Sequence, residues 1–414
     1  MVRPPEDLGA AALDLTRRLV GIDSVNPGLV SGAAGEVAIA AAVADRLCET
    51  GFDVRLVAAK DRPDRPSVLA IHGGDERRTV VLNGHLDTVG VEGMADPFTP
   101  RLDGGRLYGR GSSDMKGGLA GLVVAAEALA RRGVPGRVVL ALVADEEDGS
   151  RGCEAVIREL AAGGIRADVC LVAEPTWLDF AVAHRGYAVV RVHLRGRAAH
   201  SSQPEEGVNA TAHLGRVLVA VEDADGRLGA GPPHPLVGRG SLTATVARGG
   251  DAPFTLAASA EAIVERRTIP GETGEQALDQ VGSILAGLRQ RDPTVDGSCD
   301  LVMARSPWQL ADDTAAGELL GLLSASLRAV GAAPPRRIGA PYWMESALWE
   351  ESGVPTVVCG PAGGGLHAAD EWVDVDQVRA FPSAVSDAVE RFLLGNENRV
   401  AGRASPNSTP LERT

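Results

Sequence analysis

Three short apolar runs each stop on a histidine or a carboxylate: VVLNGHLD (80–87), VVLALVADEE (138–147) and VCLVAEP (169–175). Runs of this length, rich in Val and Leu, read as buried strands. A buried strand has no reason of its own to end on residues that are costly to desolvate. A fourth run, VPTVVCG (354–360), leads into a Gly-rich turn and then His367. Helical patterns separate the runs; in KGGLAGLVVAAEALARRG, Leu119, Leu122, Val123, Ala126 and Leu129 share one side. This alternation predicts an α/β domain with a mostly parallel sheet and helices on both faces. The strand ends of such a sheet line a crevice where ligands bind. His85, Asp87, Glu146, Glu147, Glu174 and His367 are therefore expected to converge, together with Asp114 of GRGSSDMKGG, which precedes a helix.

The pattern changes near residue 183. HRGYAVVRVHLRG (184–196) alternates apolar and polar residues, as a half-solvated antiparallel strand does. A helix over Val208 to Glu222, strands at Ser241–Val246 and Ala260–Thr268, and the helix EQALDQVGSILAGL complete a small α+β pattern. Further on, TAAGELLGLLSASLRAVG restores the α/β character. The expected organisation is a catalytic domain in two stretches, 1–182 and 298–395, with an inserted α+β domain at 183–297. The polar tail, 396–414, is read as disordered.

Composition removes several function classes. A net charge of −14 argues against nucleic acid or an anionic membrane as partner. No apolar run approaches a membrane span. MVRPPEDLGAAALDL lacks the basic-then-apolar order of a signal peptide. The five cysteines are scattered without a CxxC pair, so a zinc knuckle and a disulfide framework are both disfavoured and a cytoplasmic location is expected. GRGSSDMKGG lacks the third glycine of a dinucleotide fingerprint, and its Lys116 precedes the glycines, unlike a phosphate loop. It has no GxSxG elbow, and HExxH is absent from the chain.

Taken singly, HxD after a strand is a polar turn, DEE a solvated acidic run and Glu174 a surface residue. Their joint placement argues for a cation. Crowded carboxylates and imidazoles repel one another and lose hydration, and one or two divalent ions relieve both problems. Nitrogen and oxygen donors without thiolate favour zinc, with cobalt or manganese as alternatives. The remaining histidines, His72, His184, His193, His213 and His234, are read as structural.

SVNP, GHLDTV, GRGSSDMKGGLAG, ADEEDGS, AEPT, AHSSQPEEGVNA, RRTIPGE and GPAGGGLHAADEWV follow one another along almost the whole chain. In this order the sequence resembles the co-catalytic zinc amidohydrolases that include acetylornithine deacetylase, succinyl-diaminopimelate desuccinylase, aminoacylase and glutamate carboxypeptidase. The resemblance implies two divalent ions. His85 and Glu174 would bind one, Glu147 and His367 the other, and Asp114 would bridge them, with its bond to Met115 cis. Asp87 would orient the His85 imidazole, and Glu146 would be the general base. The inserted domain would be a lid and dimerisation domain, making the protein a homodimer. His200 would stabilise the oxyanion, from the partner in a dimer. Asn209 and Arg267 would grip the substrate carboxylate, with Arg266 the competitor of Arg267. The implied reaction is hydrolysis of an amide next to a free carboxylate. The substrate would be an N-acyl amino acid of the acetylornithine kind, or a short peptide if the chain is instead a dipeptidase or carboxypeptidase. A metal-free binding homologue is the alternative from another class. The sequence departs from the family at Glu265, where Asp is usual, and at Met344–Glu345, where Thr-Asp is common.

Overall fold

The computed structural model describes residues 7–74, 77–311 and 314–395, so the tail at 396–414 lies outside the described residues. Within them the chain divides into two compact units. The first contains residues 7–179, 314–335 and 352–395; the second contains 180–311 and 336–351.

The first unit is built on a mixed sheet with the strand order Asp53–Ala59, Arg62–Gly73, Arg137–Val143, Thr79–His85, Val169–Val172, Thr356–Val358. The last four strands run parallel to one another. The first two form an antiparallel hairpin whose second strand also pairs antiparallel with Arg137–Val143. A connection as short as Lys60–Asp61 permits only an antiparallel return, which is why this edge departs from the parallel pattern. Helices Val37–Glu49 and Arg151–Ala162 pack on the hairpin end, while Leu8–Val20, Gly117–Arg132, Thr314–Ala329 and Val375–Leu394 form a second packed group. Helix Gly117–Arg132 is buried from Gly117 to Leu129, on every side. The amphipathic side expected from its sequence is not exposed, because helices Leu8–Val20 and Val375–Leu394 cover what the sheet does not.

A second, small sheet in this unit joins Arg101–Asp103, Arg106–Tyr108, Trp372–Asp374 and Gly363–Gly364. It brings the loop of His367 close to the turn Ser112–Lys116 that carries Asp114. Strand Thr79–His85 is buried along its whole length. At Gly84 a Cβ would sit 2.9 Å from Met115 Cε, so the missing side chain lets the Asp114 turn approach the His85 strand.

The second unit holds a four-stranded antiparallel sheet in the order Ser241–Gly249, Ser259–Thr268, Gly186–Arg195, Asp296–Arg305. Buried and half-buried residues alternate along Gly186–Arg195, and Val190, Val192 and Leu194 pack on Leu214, Val217, Val281 and Leu285 of helices Ala210–Ala230 and Gly274–Arg291. The strand Asp296–Arg305 carries this sheet past residue 297. Strand Arg337–Ala340 pairs parallel with Phe180–His184, which places 336–351 in this unit and not with the chain around it.

Candidate metal centre

His85 is the last residue of its strand, and Glu147 and Glu174 follow the ends of the two neighbouring parallel strands. Asp114 lies in the turn Ser112–Lys116, and the Asp114–Met115 peptide is cis. His367 occupies the loop of the small sheet with φ +60°. Two groups result, His85–Asp114–Glu174 and Asp114–Glu147–His367, each with its donor atoms within 4.8 Å of one another. Asp114 belongs to both. Its Oδ1 is 3.0 Å from His85 Nε2 and its Oδ2 is 3.3 Å from His367 Nε2. Glu174 Oε1 lies 3.9 Å from His85 Nε2, and Glu147 Oε2 lies 3.3 Å from His367 Nε2.

Asp87 meets the His85 imidazole through its main chain. His85 Nδ1 is 2.9 Å from the Asp87 carbonyl oxygen and 3.7 Å from Asp87 Oδ1. The carbonyl accepts the Nδ1 proton and leaves Nε2 directed at the carboxylates. The Asp87 carboxylate accepts instead from the backbone N–H groups of Glu146 and Glu147, both at 3.1 Å, and from Asn26 Nδ2 at 2.7 Å.

The electrostatics call for positive charge. Burial, with the Asp114 charge beside it, pushes Glu147 up to about 7. Contacts with Asp114 and Glu147 push His367 up to about 10. Burial alone would depress His85, yet the Asp114 bond and the charges of Glu174 and Glu146 hold it well above its usual value. Burial would raise Asp114, but its bonds to His367 and His85 hold it below the usual carboxylate range. Glu147 Oε1 is buried and has no hydrogen-bond partner among the described residues. An orphaned carboxylate oxygen among imidazole nitrogens is a donor set that fits divalent metal. One pair of sites sharing Asp114 suits two ions bridged by a carboxylate.

A sequence model described as peptidase family M20/M25/M40 matches residues 81–391. The chain belongs to this family. It is a hydrolase of the metallopeptidase and amidohydrolase type. Succinyl-diaminopimelate desuccinylase of Paracoccus denitrificans is 28% identical over 391 residues, covering 92% of this chain and 97% of that one. Acetylornithine deacetylase of Photorhabdus laumondii is 25% identical, covering 93% and 98%. An M20 family metallo-carboxypeptidase from Sulfolobus solfataricus shares the fold, with a TM-score of 0.74 at 16% identity over 92% of this chain and 99% of that one.

In this M20 chain two buried residues that sequence reasoning passed over hold the Asp114 turn. Glu371 accepts from the backbone N–H groups of Gly111 and Ser113 at 2.9 Å and of Asp114 at 3.1 Å, and from Arg110 Nη1 at 2.7 Å. Lys116 Nζ donates to the Ile22 carbonyl at 2.8 Å, and burial brings it down to about 7. Both lie inside motifs that carry the family resemblance, GLHAADEWV and GRGSSDMKGG, and that position was the available signal.

The other candidates belong to the second unit. His200 is exposed, bridges to Thr255, and has Nδ1 2.7 Å from Ser202 Oγ. Asn209 caps helix Ala210–Ala230, its Oδ1 accepting from Thr211 N at 3.1 Å. Arg266 is buried and pairs with Glu272 at 2.6 Å, so its guanidinium is engaged inside the unit. Arg267 is half-buried, pairs with Glu265, and lies over the Tyr187 ring at 5.5 Å from its centroid. Met344 and Glu345 are buried.

Proposed function

We propose that this M20 enzyme deacylates an N-acyl amino acid, cleaving the amide next to a free carboxylate, with acetylornithine-like compounds as the favoured substrates. The observation that carries the reading is Asp114, whose two oxygens face His85 and His367. His85, Asp114 and Glu174 would hold one divalent ion, and Asp114, Glu147 and His367 a second, with zinc favoured over cobalt and manganese by the donor set. Two such ions, when bound, supply Lewis acidity toward the amide carbonyl and lower the pKa of water at the centre.

The chain's own groups do the rest. Glu146, whose backbone is fixed to the Asp87 carboxylate, takes a proton from the attacking water and delivers it to the leaving amine. In the homodimer, His200 of one copy donates to the oxyanion of the tetrahedral intermediate in the other. Arg267 and Asn209 bind the substrate carboxylate, Arg267 offering a planar fork suited to it. The enzyme works in the cytoplasm as a homodimer.

Hydrolysis of a panel of N-acetyl and N-succinyl amino acids and dipeptides, with and without a strong chelator, tests this. Turnover of N-acetyl amino acids that chelation abolishes and zinc restores is expected. A preference for dipeptides would replace the deacylase assignment with a peptidase one. Undiminished activity in metal-free protein would overturn the mechanism.

A further inference from the structure

Behind the Glu146–Glu147 turn the first unit buries three carboxylates around one guanidinium. Arg65 is 3% exposed; Glu36 and Asp87 are fully buried and Asp145 is 3% exposed. Arg65 Nε donates to Glu36 Oε2 at 2.9 Å, its Nη2 donates to Glu36 Oε1, and its Nη1 donates to Asp145 Oδ1 at 2.6 Å. Asn26 Nδ2 reaches both Asp87 Oδ2, at 2.7 Å, and Asp145 Oδ1, at 3.3 Å. Glu36 Oε1 also accepts from the backbone N–H of Asp145 at 3.2 Å.

Burying this much charge is a poor route to stability, since apolar packing of similar volume generally does as well or better. What the cluster does deliver is a fixed backbone. Asp145 stands at φ +70°, a left-handed conformation uncommon outside glycine. Its side chain is held by Arg65 and Asn26, and its N–H by Glu36. The next two N–H groups, of Glu146 and Glu147, are held by Asp87. Three consecutive amides of the turn therefore end on carboxylates of one cluster, and Arg65 is the cation that makes it tenable.

We propose that Arg65 is a positioning residue. Through Asp145 and Glu36 it sets the aim of Glu147 toward its ion and of Glu146 toward the attacking water. This rests on the proposed function of the same centre.

Co2+ titration of metal-free protein, followed by visible absorption and competition with a chelator, tests it alongside steady-state kinetics. In Arg65→Lys the charge stays and the fork is lost. One of two ions should be weakened about 10- to 100-fold, the scale seen when a group supporting a ligand is removed. The other should keep its affinity within about twofold, and kcat should fall about tenfold or more with KM little changed. In ion affinity, Arg65→Lys combined with Glu147→Gln should add almost nothing further, and combined with Glu174→Gln it should add its full effect. Asn26→Ala, a smaller change, should show the same selective loss and covers the case in which Arg65→Lys does not fold. Equal weakening of both ions, or wild-type affinities and kcat, in the folded variants would overturn the inference alone. Wild-type protein that binds no divalent ion would overturn the functional reading and the inference with it.

Discussion

Glu146 and Glu147 are adjacent, and both have N–H groups on the Asp87 carboxylate. Glu147 lies against His367 and carries an orphaned oxygen. In the proposed reaction this separates their duties. Glu146→Gln should lower kcat by about 10²- to 10⁴-fold, the range for loss of a general base, with metal content unchanged. Glu147→Gln should lose one ion. The reverse pattern, by elemental analysis of the two purified variants, would exchange the roles. His184 makes a different kind of prediction. It is buried between the rings of Trp308 and Trp343, with Nδ1 2.9 Å from the Arg185 carbonyl and Nε2 2.9 Å from Ser346 Oγ. Burial depresses it to about 4. A histidine so depressed stays neutral in the fold while the unfolded chain takes up a proton below about pH 6.5. Its contribution is thus present above pH 6.5 and is lost as pH falls toward 4, by roughly 3 kcal/mol over the window. Urea unfolding at pH 7 and pH 5 should show a smaller pH dependence in His184→Gln than in wild type; identical dependence would contradict this.

At the scale of elements, the centre exists because parallel strands end side by side and a turn from elsewhere is pinned against them. Glu371 does the pinning, across 257 to 260 residues of sequence. Glu371→Gln removes the charge that Arg110 and three backbone amides share. It should cost about 2–3 kcal/mol, since it weakens charged bonds and leaves Arg110 short of a partner in a buried site. The thermal midpoint of the metal-free protein should fall and metal retention should weaken; an unchanged midpoint would remove Glu371 from this role. Strand ends were readable because VVLNGHLD and VCLVAEP set apolar residues directly against charged ones, a contrast that survives without any knowledge of tertiary structure. Beyond its place in the GLHAADEWV motif, Glu371 gave no sign of being a support, because three of its four partners are main-chain amides, which leave no mark in the sequence. The small sheet from Arg101–Asp103 to Gly363–Gly364 was missed for a related reason: strands of two or three residues are too short to show a period. The burial of helix Gly117–Arg132 on every side from Gly117 to Leu129 depends on helices that arrive from both ends of the chain, which its own pattern cannot report.

At the scale of the whole molecule, two units share one chain, and every metal-donor candidate belongs to the first. His200, Asn209, Arg266 and Arg267 all lie in the second. The donor set emerged from sequence because each donor sits at a strand end or in a turn with a distinctive motif. Arg267 and Asn209 stand at no such strand end of the first unit, and in their own unit they meet Glu265 and cap a helix. Ions that bind the native chain and not the unfolded one must stabilise it. Zinc at about 1,000 times its dissociation constant should add about 4 kcal/mol against urea per site, and Asp114→Ala should abolish that gain.

The most direct test is the metal stoichiometry of Asp114→Ala beside wild type, measured by elemental analysis after zinc loading and removal of free ion. The shared carboxylate predicts close to two ions per chain in wild type and loss of tight binding at both sites in the variant, with hydrolysis of N-acyl amino acids lost alongside. An Asp114→Ala protein that still holds two ions as tightly as wild type would contradict the account.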